Sequence, residues 1–188
     1  MTLNRSLLAS LVALLLGVGV VNVVTSGTLL SLFTQAIVYA VFALGIGVLL
    51  KQNGMVSFGH ALYFGSAGYL LGIFLQLQVA SAEALIVLTL LVILVIGFVF
   101  GLIIVRVPGV AFGMLTLAIG QMFYLTASRA RGFTGGADGM NIDWPSRLFG
   151  FPMSQMLKPA TMFLVCWGTL VVVMFLLAWL MRTRFGGI

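Results

Sequence analysis

Acidic side chains are nearly missing from this chain: Glu83, Asp138 and Asp143 are the only three in 188 residues. With nine lysines and arginines they bring the charged fraction to 6%, where a soluble domain carries about a quarter. So little charge excludes a globular domain whose main solvent is water. Histidine and cysteine each occur once, as His60 and Cys166. A disulfide within the chain is therefore impossible, and one His and one Cys are too few ligands for a zinc site, so no metal or cofactor is expected. Cys166 sits in an apolar run and reads as a small packed hydrophobe. HExxH and GxSxG are also missing. All three acids fall in connecting segments, so no intramembrane carboxylate is on hand to bind H⁺ or Na⁺. A non-enzymatic chain with its energy source elsewhere is the expectation.

What fills the sequence instead is hydrocarbon: 62% of the residues are hydrophobic. Six apolar runs stand out, Leu7–Val24, Leu29–Leu50, Val56–Val79, Ala84–Val105, Gly109–Ser128 and Ala160–Met181. Each is long enough to cross ~30 Å of bilayer core as a helix rising 1.5 Å per residue. The expected fold class is all-α, a polytopic membrane protein with about six transmembrane helices in one domain over residues 1–188. The N-terminal run is long for a signal peptide and no A-x-A site follows, so it reads as an uncleaved span. The net charge of +6 is scattered singly between the runs, which suits lipid headgroups rather than nucleic acid. With the N-terminus inside, Arg5, Lys51, Arg106, Arg182 and Arg184 are cytoplasmic and Glu83 is outside. The long connection Arg129–Pro159 is then outside as well. Its Trp144, Phe149, Phe151 and Met153 suggest a segment lying on the membrane interface or on a neighbour. Pro108 suits the first turn of the fifth helix.

Glycine is abundant, 23 residues, and it is patterned. On a helix over the third run, Ser57, Ala61, Gly65, Gly68 and Gly72 share one face. On the fifth, Gly109, Gly113, Thr116 and Gly120 do so, with Tyr124 continuing the face. Lipid gives helices no hydrophobic reason to associate, so small residues that let backbones touch are what holds them together. Such faces serve packing alone, or packing together with sliding during transport. His60 lies at the edge of its stripe and needs a hydrogen-bond partner, which Ser57 or Asn53 is placed to give. A structural role and a place in a path or gate both remain open for it. Gln121 borders the fifth-run face, and with Thr116 and Tyr124 it is suited either to interhelical hydrogen bonding or to lining a passage for a small polar solute. In "TGGADGMN" (Thr134–Asn141), consecutive glycines permit positive φ, giving either an ordinary turn or a backbone nest for an anion.

Two of these stretches, "NGMVSFGHALYFGSAGYLLG" and "GVAFGMLTLAIGQMFYLTASRARGFTGGADGMN", together resemble the permease subunits of bacterial branched-chain amino acid ABC transporters, a family that includes urea and short-amide permeases. The motif residues are Gly54, Ser57, Phe58, Gly59 and His60, then Phe112–Ala118, then Thr134–Gly139. The resemblance implies a second permease subunit, two cytoplasmic ABC ATPases and a periplasmic solute-binding protein as partners, in the bacterial inner membrane. On that reading Ser57, Gly59, His60, Thr116, Gln121 and Tyr124 are the expected path or gate residues. It implies that Thr134, Gly135, Gly136, Asp138 and Gly139 shape an outer loop meeting the binding protein. It also implies a continuation past "RTRFGGI", so the chain is expected to be an N-terminal fragment lacking the ATPase-docking element, with Gly187 where a basic residue is usual. A channel or secondary transporter that works without partners is the alternative.

Overall fold

The computed structural model describes residues 3–78 and 80–182. Val79, Arg184 and Gly187 lie outside the described residues, as do the side chains of Arg5 and Asn53. Six long helices correspond to the six apolar runs: α1 (Leu3–Val23), α2 (Gly27–Asn53), α3 (His60–Leu77), α4 (Ala82–Ile104), α5 (Val110–Arg129) and, after a structured connection, α8 (Pro159–Leu180). By length and composition α2, α4, α5 and α8 are able to cross a membrane. Hydrocarbon offers backbone N–H and C=O groups no partner, so apolar runs of this length have to close their hydrogen bonds internally as helices. The hydroxyls they carry do likewise. Ser31, Thr34, Thr89, Thr126 and Thr169 each donate to the carbonyl four residues earlier, at 2.7 to 3.0 Å.

Local signals set the ends. Ser81 caps α4, its Oγ accepting the Ala84 N–H at 3.4 Å, and Glu83 follows in the first turn, where a negative charge suits the helix dipole. Pro159 opens α8. The fifth helix departs from expectation. Gly109, at φ +67°, caps it, so α5 begins at Val110 and Pro108 stands just before the cap.

The third helix departs further. The run was expected to be helical from Val56, whereas α3 begins at His60 and Val56–Gly59 is irregular backbone. Gly54 at φ +63° turns the chain out of α2, and Gly59 caps α3. At 18 residues α3 rises about 27 Å, and Ser57 lies before the helix rather than on its small-residue face.

The chain divides into two compact units. The first comprises residues 1–45 and 154–188, and α2 passes from it into the second, residues 46–153. In the first unit α1 and α8 run side by side in opposite directions. The Trp167 ring donates through Nε1 to the Ala13 carbonyl at 2.8 Å, while Phe163 stacks on Trp167 and joins Leu30 and Ile37 in the buried cluster. Cys166 packs against that cluster, as a small hydrophobe should. An apolar groove of about 350 Å³ lies among Val20, Phe33, Ile37, Phe163 and Trp167.

In the second unit α3, α4 and α5 pack together, and Phe100 of α4 meets Phe123 of α5 edge to face at 5.7 Å. The connection after α5 is ordered in pieces: α6 (Arg131–Thr134), a 3₁₀ turn over Gly136–Asp138, and a hairpin of β1 (Arg147–Leu148) and β2 (Phe151–Pro152). The four-residue α7 (Met153–Met156) then leads towards α8. Ile142 and Leu148 from this connection pack against Leu75, Ala82 and Leu85. The long connection therefore covers the α3–α4 end of the unit, the end that carries Glu83.

Gly17 and Gly19 make a matched pair for testing the α1–α8 contact. A Cβ at Gly17 runs into the Trp167 ring, whereas one at Gly19 meets nothing within 4 Å. Gly17→Ala should destabilise the protein by about 1–3 kcal/mol through overpacking. Gly19→Ala should be neutral or stabilise by up to about 1 kcal/mol through helix propensity. Thermal unfolding in detergent, followed by tryptophan emission, reads both.

Candidate functional site

The Thr116 hydroxyl reaches outside its own helix. Its Oγ1 donates to the Gly113 carbonyl at 2.9 Å and accepts the Phe58 N–H at 3.2 Å. It is 4% exposed, and Ser57 and Gly59 are buried beside it. The irregular segment between α2 and α3 is thereby seated on α5. Irregular backbone at membrane depth persists only where protein covers it or it lines a cavity. Here the Thr116 hydroxyl satisfies one freed amide, and the Ser57 hydroxyl accepts the Gly59 N–H at 3.3 Å.

The absence of side chains is what makes the seat. A Cβ on Gly59 lies 3.0 Å from the Thr116 carbonyl oxygen and 3.1 Å from its Cβ. Since φ at Gly59 is −87°, close approach rather than backbone conformation requires glycine there. On α5, a Cβ on Gly113 would lie 3.3 to 3.4 Å from the Phe58 ring and the Val56 carbonyl, and one on Gly120 4.0 Å from the Gly59 Cα. The small face of α5 thus receives a turn of chain. Measured along α5, Thr116 stands about 9 Å and Gly120 about 15 Å from the helix start.

His60 opens α3 immediately after this turn. It is half-buried, with its ring beside the backbone of Ser57. Gln121 and Tyr124 are exposed along α5, one and two turns beyond Thr116, and are not drawn into the contact. Ala61 and Gly68 are exposed and Gly65 is half-buried; Cβ atoms at Gly65 and Gly68 meet nothing within 4 Å among the described residues. Gly72, on the same stripe, is buried beneath the long connection, with Met140 Sδ 2.7 Å from the place of its Cβ. Gly109 is open, and its positive φ is what calls for glycine.

The glycine-rich loop closes on itself. Thr134 Oγ1 lies 2.5 Å from the Ala127 carbonyl and 2.9 Å from that of Ala130, and it accepts the Gly136 N–H at 3.3 Å. Gly135, Gly136 and Gly139 all take positive φ, and a Cβ on Gly135 collides with the Gly139 carbonyl, so the loop doubles back tightly. The Gly135 N–H bonds Arg131 O and the Gly139 N–H bonds Gly136 O. Three amides that an anion nest would offer are held by oxygens inside the loop, which makes it a tie-off for the C-terminal end of α5. Asp138 and Gly139 are exposed on its outer side.

Sequence reasoning did not find the contacts that hold the long connection down. Gln76 Nε2 donates to the Asn141 carbonyl at 2.6 Å, and Glu83 Oε1 accepts the Phe149 N–H at 2.6 Å. Both join residues more than sixty positions apart, and no local spacing marks them. The lone acid in the short "ASAE" connector was the available clue. The groove in the first unit has almost wholly apolar walls, and Trp167, its one residue with a polar atom, already donates to Ala13. It is poorly suited to a polar solute. No group of three or more metal-ligating side chains occurs among the described residues.

Residues 28–188 match the family model described as "Branched-chain amino acid transport system / permease component". Comparison with curated proteins and with solved structures returns no match.

Two substitutions separate the parts of this site. Thr116→Val removes the acceptor of the part-buried Phe58 amide and should cost about 1–2 kcal/mol, while Thr116→Ser keeps the hydroxyl and should cost less. Unfolding in mixed micelles measures the difference. Thr134→Val unties the loop after α5, and limited proteolysis should then cut between Arg129 and Asn141 faster than in wild type, with Thr134→Ser restoring resistance.

Proposed function

Because the chain belongs to the branched-chain amino acid transport permease family, we propose that it is the transmembrane permease subunit of an ABC-type uptake transporter in the bacterial inner membrane. It moves a branched-chain amino acid or a similar small polar solute. It works as a single transmembrane domain beside a second permease subunit, two cytoplasmic ATPases that supply the energy, and a periplasmic solute-binding protein. The family match over residues 28–188 carries this reading. A multi-pass architecture and the placement of all three acids at helix ends or in connections support it, since an ion-coupled carrier keeps a carboxylate among its helices.

In this reading the turn Ser57–His60 and its seat on α5 form the moving part. A short irregular segment between two helices, held by one hydroxyl and by glycine contacts, shifts at lower cost than a helix packed through large side chains. Broken helices serve this purpose in other transporters, where freed backbone groups and helix ends face the solute. Ser57, Gly59, His60 and Thr116 hold or release the turn, and Gln121 and Tyr124 continue a polar track along α5. The loop Thr134–Gly139 fixes the end of α5 on the side taken here as periplasmic, where the binding protein docks. ATP-driven movement of the partner subunits shifts the population between closed and open seats.

Uptake of radiolabelled leucine by cells that express the chain with its partner subunits tests the proposal. Thr116→Leu should fill the seat and reduce uptake at least about tenfold, a loss of 1.4 kcal/mol or more. His60→Ala should also reduce uptake at normal expression, and Thr116→Ser should retain most of it. Undiminished leucine uptake when the ATPases are inactivated would replace this reading with that of a partner-independent channel or carrier.

A further inference from the structure

The hairpin after α5 leaves large aromatic surface uncovered. Trp144 is 53% exposed, Phe149 62% and Phe151 58%. Three such rings within eight residues of a connecting segment need an account, because the connection is otherwise held tightly. Leu148 turns into the cluster with Leu75, Ala82 and Leu85, while its chain neighbours Arg147 and Phe149 are exposed. The tip is a two-residue turn, Phe149–Gly150, with both residues at positive φ (+50° and +80°) between the paired Leu148 and Phe151. That is the φ pattern of a type I′ turn, whose first position usually holds Asn, Asp or Gly. A phenylalanine there is uncommon.

The depth of this tip is fixed by α4. The Phe149 N–H donates to Glu83 Oε1 at 2.6 Å, and Glu83 lies in the first turn of α4. With 23 residues α4 rises about 34 Å, a little more than the ~30 Å of a bilayer core. Its first turn therefore stands at the headgroup layer, and a hydrogen bond to that turn places Phe149 at the same level. Below it, α4 is apolar and exposed at Val87, Leu90, Leu91 and Leu94, as a helix bordering lipid would be. Arg147 is exposed next to them and is complementary to anionic headgroups.

We propose that the hairpin is a membrane-interface anchor: Phe149 and Phe151, with Trp144, insert among the headgroups and first methylenes of the lipid beside α4, with Arg147 on headgroup phosphate. Aromatic side chains favour this layer. Glu83 holds the strap at the right height, and Leu148 keeps it against the helix pair. The inference needs only that α4 spans the bilayer and does not depend on which solute the protein moves.

The test uses the full chain in vesicles of phosphatidylethanolamine and phosphatidylglycerol, with Cys166→Ser and single cysteines at Phe149, Phe151 or Leu94 carrying a bimane label. Lipids bearing a nitroxide at the headgroup or in mid-chain serve as quenchers. The expected result is loss of fluorescence at positions 149 and 151 with the headgroup nitroxide, and at position 94 with the mid-chain nitroxide. Phe149→Asn keeps a favoured Asn-Gly turn while removing the ring; with the label at 151, quenching by the headgroup nitroxide should fall. Should labels at 149 and 151 go unquenched by either lipid while 94 is quenched, the anchor is disproved. A response at 149 and 151 only when the solute-binding protein is added would likewise overturn it and give the face to that partner.

Discussion

A backbone amide that leaves its helix and must find a new partner is the constraint around which the second unit is arranged. Where the chain leaves α2 and before it enters α3, it gives up helical hydrogen bonds next to hydrocarbon, where no water replaces them. The Thr116 hydroxyl answers one of these losses by accepting the Phe58 N–H while donating to its own helix. The seat depends on Gly59 and Gly113, which bring no side chain into the tight space between the turn and α5. Hydrogen bonding and close packing are therefore one requirement here. The hydroxyl reaches the amide because the glycines let the backbones meet.

The rest of the second unit is organised to keep that arrangement in place. Thr134 gathers the carbonyls at the end of α5, fixing the helix on which the turn sits. The long connection then crosses to α3 and α4, where Met140 lies over Gly72, Asn141 takes the Gln76 amide and Phe149 meets Glu83. Small residues do different work at different places: close approach at Gly59 and Gly113, positive φ at Gly135, Gly136 and Gly139. At Gly65 and Gly68 an added Cβ would meet nothing within 4 Å among the described residues.

The helices were legible in the sequence because long apolar runs leave the backbone little alternative in lipid. The break at Val56–Gly59 was not legible. Val, Ser and Phe continue the apolar pattern there, and apolar composition alone does not distinguish a helical turn from an irregular one. Gly54 was the hint, and its positive φ is a fact of backbone geometry that composition does not reveal. Thr116 stands out in the sequence as a polar group in an apolar run, yet its bond to the Phe58 amide spans 58 residues. The tie-off of the glycine-rich loop was half legible: the positive φ values could be foreseen, but not that the freed amides would turn inward. Glu83 stood out only by rarity, and its partner, a main-chain N–H, carries no side-chain signature at all.

The pairing of α1 with α8 has a consequence for how the molecule assembles. The bond from Trp167 to Ala13 joins positions 154 apart, whereas the helices of the second unit are neighbours in sequence. During synthesis α1 enters the membrane long before its partner is made, with the bare patch at Gly17 facing lipid. The middle helices are free to pack first, because contacts between near neighbours form sooner than distant ones. Biogenesis thus runs from the inside of the sequence outward, and arrival of the tryptophan-bearing helix is the step that closes the first unit.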